Sequence, residues 1–139
     1  MDALIDAPRP AGDEPESARR VRAFRATDQF ALAAWQAARA FARADGESLA
    51  REVRRALARS GGALVAAATG PTSDPVVRRA LEAAHAGLLE VRYYLYLARR
   101  LGCLDLKAYR QLAALQDVAL RELGSVLEGR EGGSARIPG

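Results

Sequence analysis

The chain has very little cysteine, histidine, lysine or aromatic content, and each scarcity excludes something. Cys103 is the single cysteine, so no intrachain disulfide is possible and a reducing, cytoplasmic setting is expected. His85 is the single histidine, which leaves one protomer without the imidazole set of most metal and acid–base centres. Lys107 is the single lysine, so all but one of the 21 basic residues are arginine, as a GC-rich genome would produce. Aromatics are only 6%, so the core must be built from Ala and Leu, with closely approaching helices and stability supplemented by association. No run reaches the ~18–20 uninterrupted apolar residues of a membrane span. The first residues carry Asp2 and Asp6 and no basic region, unlike a signal peptide.

What is present is helical periodicity. With 139 residues, half of them hydrophobic, the chain suffices for one domain. Residues 1–26 hold Pro8, Pro10, Gly12 and Pro15 and then Arg19, Arg20, Arg22 and Arg25, and read as a disordered arm that ends basic. Residues 27–128 read as four helices, and 129–139 as a flexible Gly-rich tail. The first helix is expected from an N-cap at Asp28, with Phe30, Ala34, Ala37, Phe41 and Ala44 on one stripe. The second starts at Ser48 and runs to Thr69, burying Leu49, Val53, Ala56, Ser60 and Ala63. Its Gly61-Gly62 pair predicts a kink or a close crossing. The third, opened by Asp74-Pro75 and stopped by Gly102, keeps an unbroken heptad through Val77, Leu81, Ala84, Leu88, Val91, Leu95 and Ala98. The fourth, capped by Asp105, presents Leu112, Leu115, Ala119, Leu123 and Leu127. Short connections make successive helices antiparallel neighbours, so the expected fold is an all-α, up-down-up-down four-helix bundle.

Three sequence features bear on chemistry. Glu82-x-x-His85 has the spacing of half a di-metal site, but a complete site needs a second such motif and two more carboxylates, and the heptad turns Glu82 outward. Cys103 and the serines lack nucleophile context, and no Gly-rich loop is followed by Gly-Lys-Ser/Thr. No metal, cofactor or enzymatic activity is therefore expected. Arg51, Arg54 and Arg55 lie opposite the apolar stripe of the second helix and Arg59 on its shoulder, with only Glu47 and Glu52 nearby. Unpaired guanidinium groups of this kind suit phosphate, and they are also what a solvated helix face carries. Arg92, Tyr93, Tyr96 and Arg99, with Arg100, form an Arg–Tyr cluster that reads as a subunit interface, or as a base-stacking surface.

Three motifs carry a family resemblance: FALAAWQAARAFA at residues 30–42, RRALARSGGALVAAATG at 54–70, and LLEVRYYLYLARRLGCLD at 88–105. Over residues 28–128 the chain resembles the four-helix-bundle proteins encoded in intervening sequences of bacterial large-subunit ribosomal RNA genes. That family includes the accessory variability proteins of diversity-generating retroelements. The family's Pro-Asn-Ile-Ala-Glu-Gly run is here Ala66-Ala67-Ala68-Thr69-Gly70, so roles tied to its Asn and Glu do not carry over. Cys103 stands where an aromatic commonly follows the Leu-Gly stop. The resemblance implies a ring-forming homo-oligomer, commonly a homopentamer, with a basic surface that engages nucleic acid or a nucleic-acid enzyme such as a reverse transcriptase. The functional expectation is a non-enzymatic scaffold that binds RNA or DNA backbone through Arg51, Arg54, Arg55, Arg59, Arg19, Arg20 and Arg22. The alternative is a protein-interaction module with no nucleic-acid role.

Overall fold

The computed structural model describes residues 15–43 and 46–135. Four helices account for nearly all of them: α1 (Glu16–Arg43), α2 (Glu47–Ala66), α3 (Pro75–Arg100) and α4 (Leu106–Ala135), with a 3₁₀ turn at Ala67–Thr69. No strand occurs among the described residues. Each helix packs on two neighbours, in the circuit α1–α2–α3–α4–α1. Across the α2–α3 and α3–α4 junctions the partner numbers run in opposite directions. Arg59 meets Glu90 while Ser60 meets Ala84, and Arg92 meets Asp117 while Arg78 meets Leu127. The fold is a four-helix bundle with antiparallel neighbours.

The core is aliphatic and small. All seven heptad residues of α3 are buried, as are Phe30, Ala34 and Phe41 of α1 and Val53, Ala56 and Ser60 of α2. Leu112, Ala119, Leu123 and Val126 complete it from α4. Small side chains let helices approach closely, most of all at Gly87. A Cβ built there would stand 3.0 Å from the Ser60 Cβ. Beside that contact the Ser60 hydroxyl donates to the Ala84 carbonyl at 2.7 Å, and the buried Gln116 amide donates to the Leu88 carbonyl at 2.7 Å. The close crossing expected at Gly61-Gly62 lies instead at Gly87. Nothing approaches within 4 Å of a Cβ at either paired glycine, and α2 runs through both.

The caps explain where helices stop. Asp74 accepts a hydrogen bond from the Val76 amide at 2.9 Å, with Pro75 in the first turn. Asp105 caps α4 through the Ala108 amide at 2.8 Å. Beyond α3, Gly102 adopts φ 79°, and the Cys103 and Gly102 amides return to the Ala98 and Arg99 carbonyls. This is the Schellman arrangement, and only glycine takes that φ without strain. At the start of α2 the N-cap is Gly46 rather than Ser48. A Cβ at Gly46 would meet the Phe41 carbonyl oxygen at 2.8 Å and the Cys103 sulfur at 2.9 Å, so the α1–α2 turn sits directly on the α3–α4 turn.

The largest departure from expectation is the start of α1. It begins at Glu16, so Asp28 lies mid-helix and residues 16–26 of the anticipated arm are ordered turns of the bundle. The reason is tertiary. The Glu16 carboxylate accepts from the Thr72 amide at 2.9 Å, the Arg20 guanidinium donates to the Gly70 carbonyl, and Arg22 pairs with Glu122 at 3.2 Å. These bonds latch the first turns of α1 onto the α2–α3 loop and onto α4. Ala23 and Thr27 are buried beneath them. At the other end, α4 continues to Ala135, through part of the expected tail. The arm residues 1–14, the tail residues 136–139 and Ala44 lie outside the described residues.

Candidate interaction surfaces

The arginines of α2 divide into two kinds. Arg59 donates to both carboxylate oxygens of Glu90, at 2.9 and 3.0 Å, and Arg55 pairs with Glu52 at 3.1 Å. The expectation of an unpaired stripe therefore fails at these two positions, because a carboxylate on α3 and another one turn back on α2 cancel their charge. Arg54 and Arg51 meet only neutral groups. Arg54 donates to the Trp35 carbonyl at 3.1 Å, and its guanidinium carbon lies 5.2 Å from the Trp35 ring centroid. Its Nε is buried with no hydrogen-bond partner among the described residues. Arg51 approaches the Ser48 hydroxyl at 3.4 Å. Neither meets an acid among the described residues, and Arg54 lies beside an indole that is 43% exposed. An exposed indole with adjacent guanidinium groups can stack a base and neutralise its phosphate.

The three arm arginines make contacts within the bundle. Arg20 belongs to the latch and also pairs with Glu16 at 3.5 Å. Arg22 is committed to Glu122. Arg19 lies against α4, with guanidinium atoms 3.0–3.1 Å from where a Cβ of Gly129 would be. The helical start of α1 turns these side chains into bundle contacts.

The Arg–Tyr cluster is resolved into an outward stripe and two flanks. Leu89, Tyr93, Tyr96 and Arg100 follow one another at helical spacing along the exposed side of α3, and the first three are 44%, 57% and 45% exposed. Arg100, rather than Arg99, covers the Tyr96 ring, at 5.7 Å to its centroid, and Arg99 is half-buried on the flank. Arg92 is drawn to α4 by Asp117 at 2.6 Å. On the other flank Tyr94 donates its hydroxyl to Glu90 at 2.7 Å. That bond, followed by Arg59, holds the Glu90 carboxyl below its ordinary range, and in return it and burial raise the Tyr94 phenol. Arg92 and Glu90 beside the stripe are thus tied to neighbouring helices, while Arg100 stays on α3 over the Tyr96 ring, and Leu89 and the two tyrosine rings are exposed.

Glu82, the acid of the Glu-x-x-His motif, is exposed and pairs with Arg78 at 3.5 Å, and His85 is half-buried. Among the described residues no three His, Cys, Asp or Glu side chains are grouped to hold a metal, and no helix is long and apolar enough to cross a membrane. Sequence reasoning missed the pairing of Arg54 with Trp35, two residues 19 apart on different helices. Comparison of the chain with protein-family models, with curated proteins and with solved structures finds no match.

Proposed function

We propose that this protein is a non-catalytic, self-associating helical-bundle scaffold, of the kind found in ribosomal RNA intervening sequences, that engages nucleic acid or a nucleic-acid enzyme. The observation that carries the reading is the Leu89–Tyr93–Tyr96 stripe, an apolar and aromatic face on an outward helix side, with Arg92 and Glu90 paired to neighbouring helices and Arg100 over the Tyr96 ring. Tyrosines of this kind anchor protein interfaces, and truncating one central anchor typically costs ~2 kcal/mol or more of association. Ring closure through this face is the assembly proposed, as a homopentamer. The nucleic-acid contact is placed at Arg51, Arg54 and Trp35, where the arginines meet no acid among the described residues. The mechanism is phosphate neutralisation with base stacking and little sequence readout.

Light scattering on the purified protein tests both halves, with and without a generic single-stranded RNA at low and high salt. The expected result is an oligomer that falls to protomers in Tyr93→Glu/Tyr96→Glu, and whose mass rises with RNA only at low salt. Two engaged arginines per protomer predict a salt slope of about −1.4 in log–log form, whereas all four of the α2 stripe would give about −2.8. A monomer at every concentration removes the scaffold. An oligomer indifferent to RNA favours the second reading, a protein-interaction module without a nucleic-acid role, which the neutralised Arg55 and Arg59 support.

A further inference from the structure

Side chains in a folded core interlock and leave few gaps larger than a water molecule. Where the first turns of α1 face the end of α2 the chain departs from that rule, with a cleft of about 580 Å³ that lies apart from both surfaces described above. Ala23 on α1 and Ala68 in the 3₁₀ turn put single methyls into this junction, too short to close it. Val21 and Phe24 form one wall and Val65 the other, all three exposed. Leu64, Leu81 and Val126 are buried and make the floor, so the cleft leads from solvent to the core with contributions from all four helices. Its size and apolar lining are those of a small-molecule pocket.

The charged groups of the lining all have one sign. Arg20 and Arg25 line the cleft, and no acid does so among the described residues. Arg20 gives its Nη1 to the Gly70 carbonyl and to Glu16, while its buried Nη2 has no hydrogen-bond partner among the described residues. Glu16, held by the Thr72 amide, balances the charge of Arg20. Arg25 is exposed and makes no ion pair or hydrogen bond among the described residues. The site thus holds a single positive charge in excess, at Arg25, beside an apolar channel. A monoanion matches that charge, and the planar fork of a guanidinium suits a carboxylate. The channel itself offers nothing to a polar body and suits an alkyl chain. Its α1 wall from Ser17 to Arg25 is ~12 Å long at the helical rise, comparable with an extended ten-carbon chain.

We propose that this cleft is a binding site for an alkyl monocarboxylate, a medium-chain fatty acid in chemical class, with its chain against Val21, Phe24 and Val65 above the buried floor and its carboxylate at Arg25. The proposal does not depend on the function proposed above.

Decanoate is the probe, titrated below its micelle concentration into the full-length protein and followed by calorimetry and by amide NMR shifts. The expected result is saturable binding with one decanoate per protomer, and shifts centred on residues 17–25 and 64–68, with Leu81 and Val126. Octanoate, two methylenes shorter, should bind about fifteenfold more weakly. Decyltrimethylammonium, with the same chain and the opposite charge, should bind more weakly than decanoate. Arg25→Gln, at an exposed position, should weaken decanoate about three- to tenfold without weakening decyltrimethylammonium. Val65→Glu, also exposed, should keep the helical circular dichroism and abolish decanoate binding. No binding of decanoate overturns the proposal, and so does decyltrimethylammonium binding as tightly. Affinity that Val65→Glu or Arg25→Gln leaves unmoved overturns it too. Shifts centred instead on Leu89, Tyr93 and Tyr96 also overturn it, and mark adsorption to the exposed rings.

Discussion

Two glycine-to-alanine substitutions in the bundle should change stability in opposite directions. Removing a helical glycine gains up to ~1 kcal/mol from backbone entropy wherever the new methyl has room. At Gly62 a Cβ meets nothing within 4 Å, so Gly62→Ala should stabilise by ~0.5–1 kcal/mol. At Gly87 the same methyl lands 3.0 Å from the Ser60 Cβ and 3.5 Å from the Ala56 carbonyl oxygen and the Ser60 Cα. Those atoms belong to the α2 backbone and its first side-chain carbon, and cannot swing aside. The helices must separate, at an overpacking cost of ~1–3 kcal/mol, and the Ser60–Ala84 hydrogen bond stretches with them for up to ~1 kcal/mol more. Set against the gain, Gly87→Ala should lose ~1–2 kcal/mol. For a domain of this size the two variants should melt about 5–10 °C apart. Urea and thermal unfolding at one fixed protomer concentration measure this. Ser60→Gly should relieve Gly87→Ala, giving a coupling of ~0.5 kcal/mol or more in the double-mutant cycle. Equal stability of the two alanine variants, or strict additivity in the cycle, would refute the close-crossing argument.

Other outcomes follow from the same contacts. Arg20→Met keeps the aliphatic stem but removes the donor to Gly70, and should cost ~1–3 kcal/mol in unfolding experiments, while Arg39→Met, on an exposed site, should cost under ~0.5 kcal/mol. Glu16 and Glu90 have folded-state pKa values below the ordinary 4.5, the first chiefly through the Thr72 amide and the second chiefly through Tyr94. Their contribution is fully present above pH 4.5 and is lost as pH falls through the folded values, so the acid limb of a stability–pH curve should flatten in Tyr94→Phe. Tyr94 is raised above its ordinary 10.0, so its contribution holds below pH 10 and disappears as pH rises through the higher folded value, a limb also absent in Tyr94→Phe. Cys103 is buried under Gly46, so its alkylation should require opening of the turn and should slow in parallel with added stability in Gly62→Ala.

The parts of the fold legible in sequence are those determined by local periodicity and capping. Every heptad position of α3 is buried, and Asp74-Pro75 and Gly102 do at its ends what their chemistry requires. The start of α1 was not legible, because Ala23 and Thr27 give a weak apolar signal among four arginines and the helix is held there by groups on remote elements. The partner of Glu16 is 56 residues away, at Thr72. The same distance effect governs the candidate site. Arg59 has no acid nearby in sequence, yet Glu90, 31 residues on, neutralises it. Spacing located the Arg–Tyr cluster but not its division: one residue of rotation separates Arg100, over the Tyr96 ring, from Arg99 on the flank. Charge pairing between helices is a property of the assembled bundle, and periodicity within one helix carries no record of it.

The latch at the α1 N-terminus also has a kinetic consequence. Its two bonds to the α2–α3 loop close loops of 50 and 56 residues, between Arg20 and Gly70 and between Glu16 and Thr72. Contacts of such separation bear a loop-closure entropy that the local α2–α3 and α3–α4 hairpins do not. The hairpins should therefore form first and the opening turns of α1 dock last. By the same ordering these turns should be the first to undock from the native state. In hydrogen exchange the amides of residues 19–26 should open together, at a free energy below that of the α3 core, and each such opening would momentarily pull one wall from the apolar cleft.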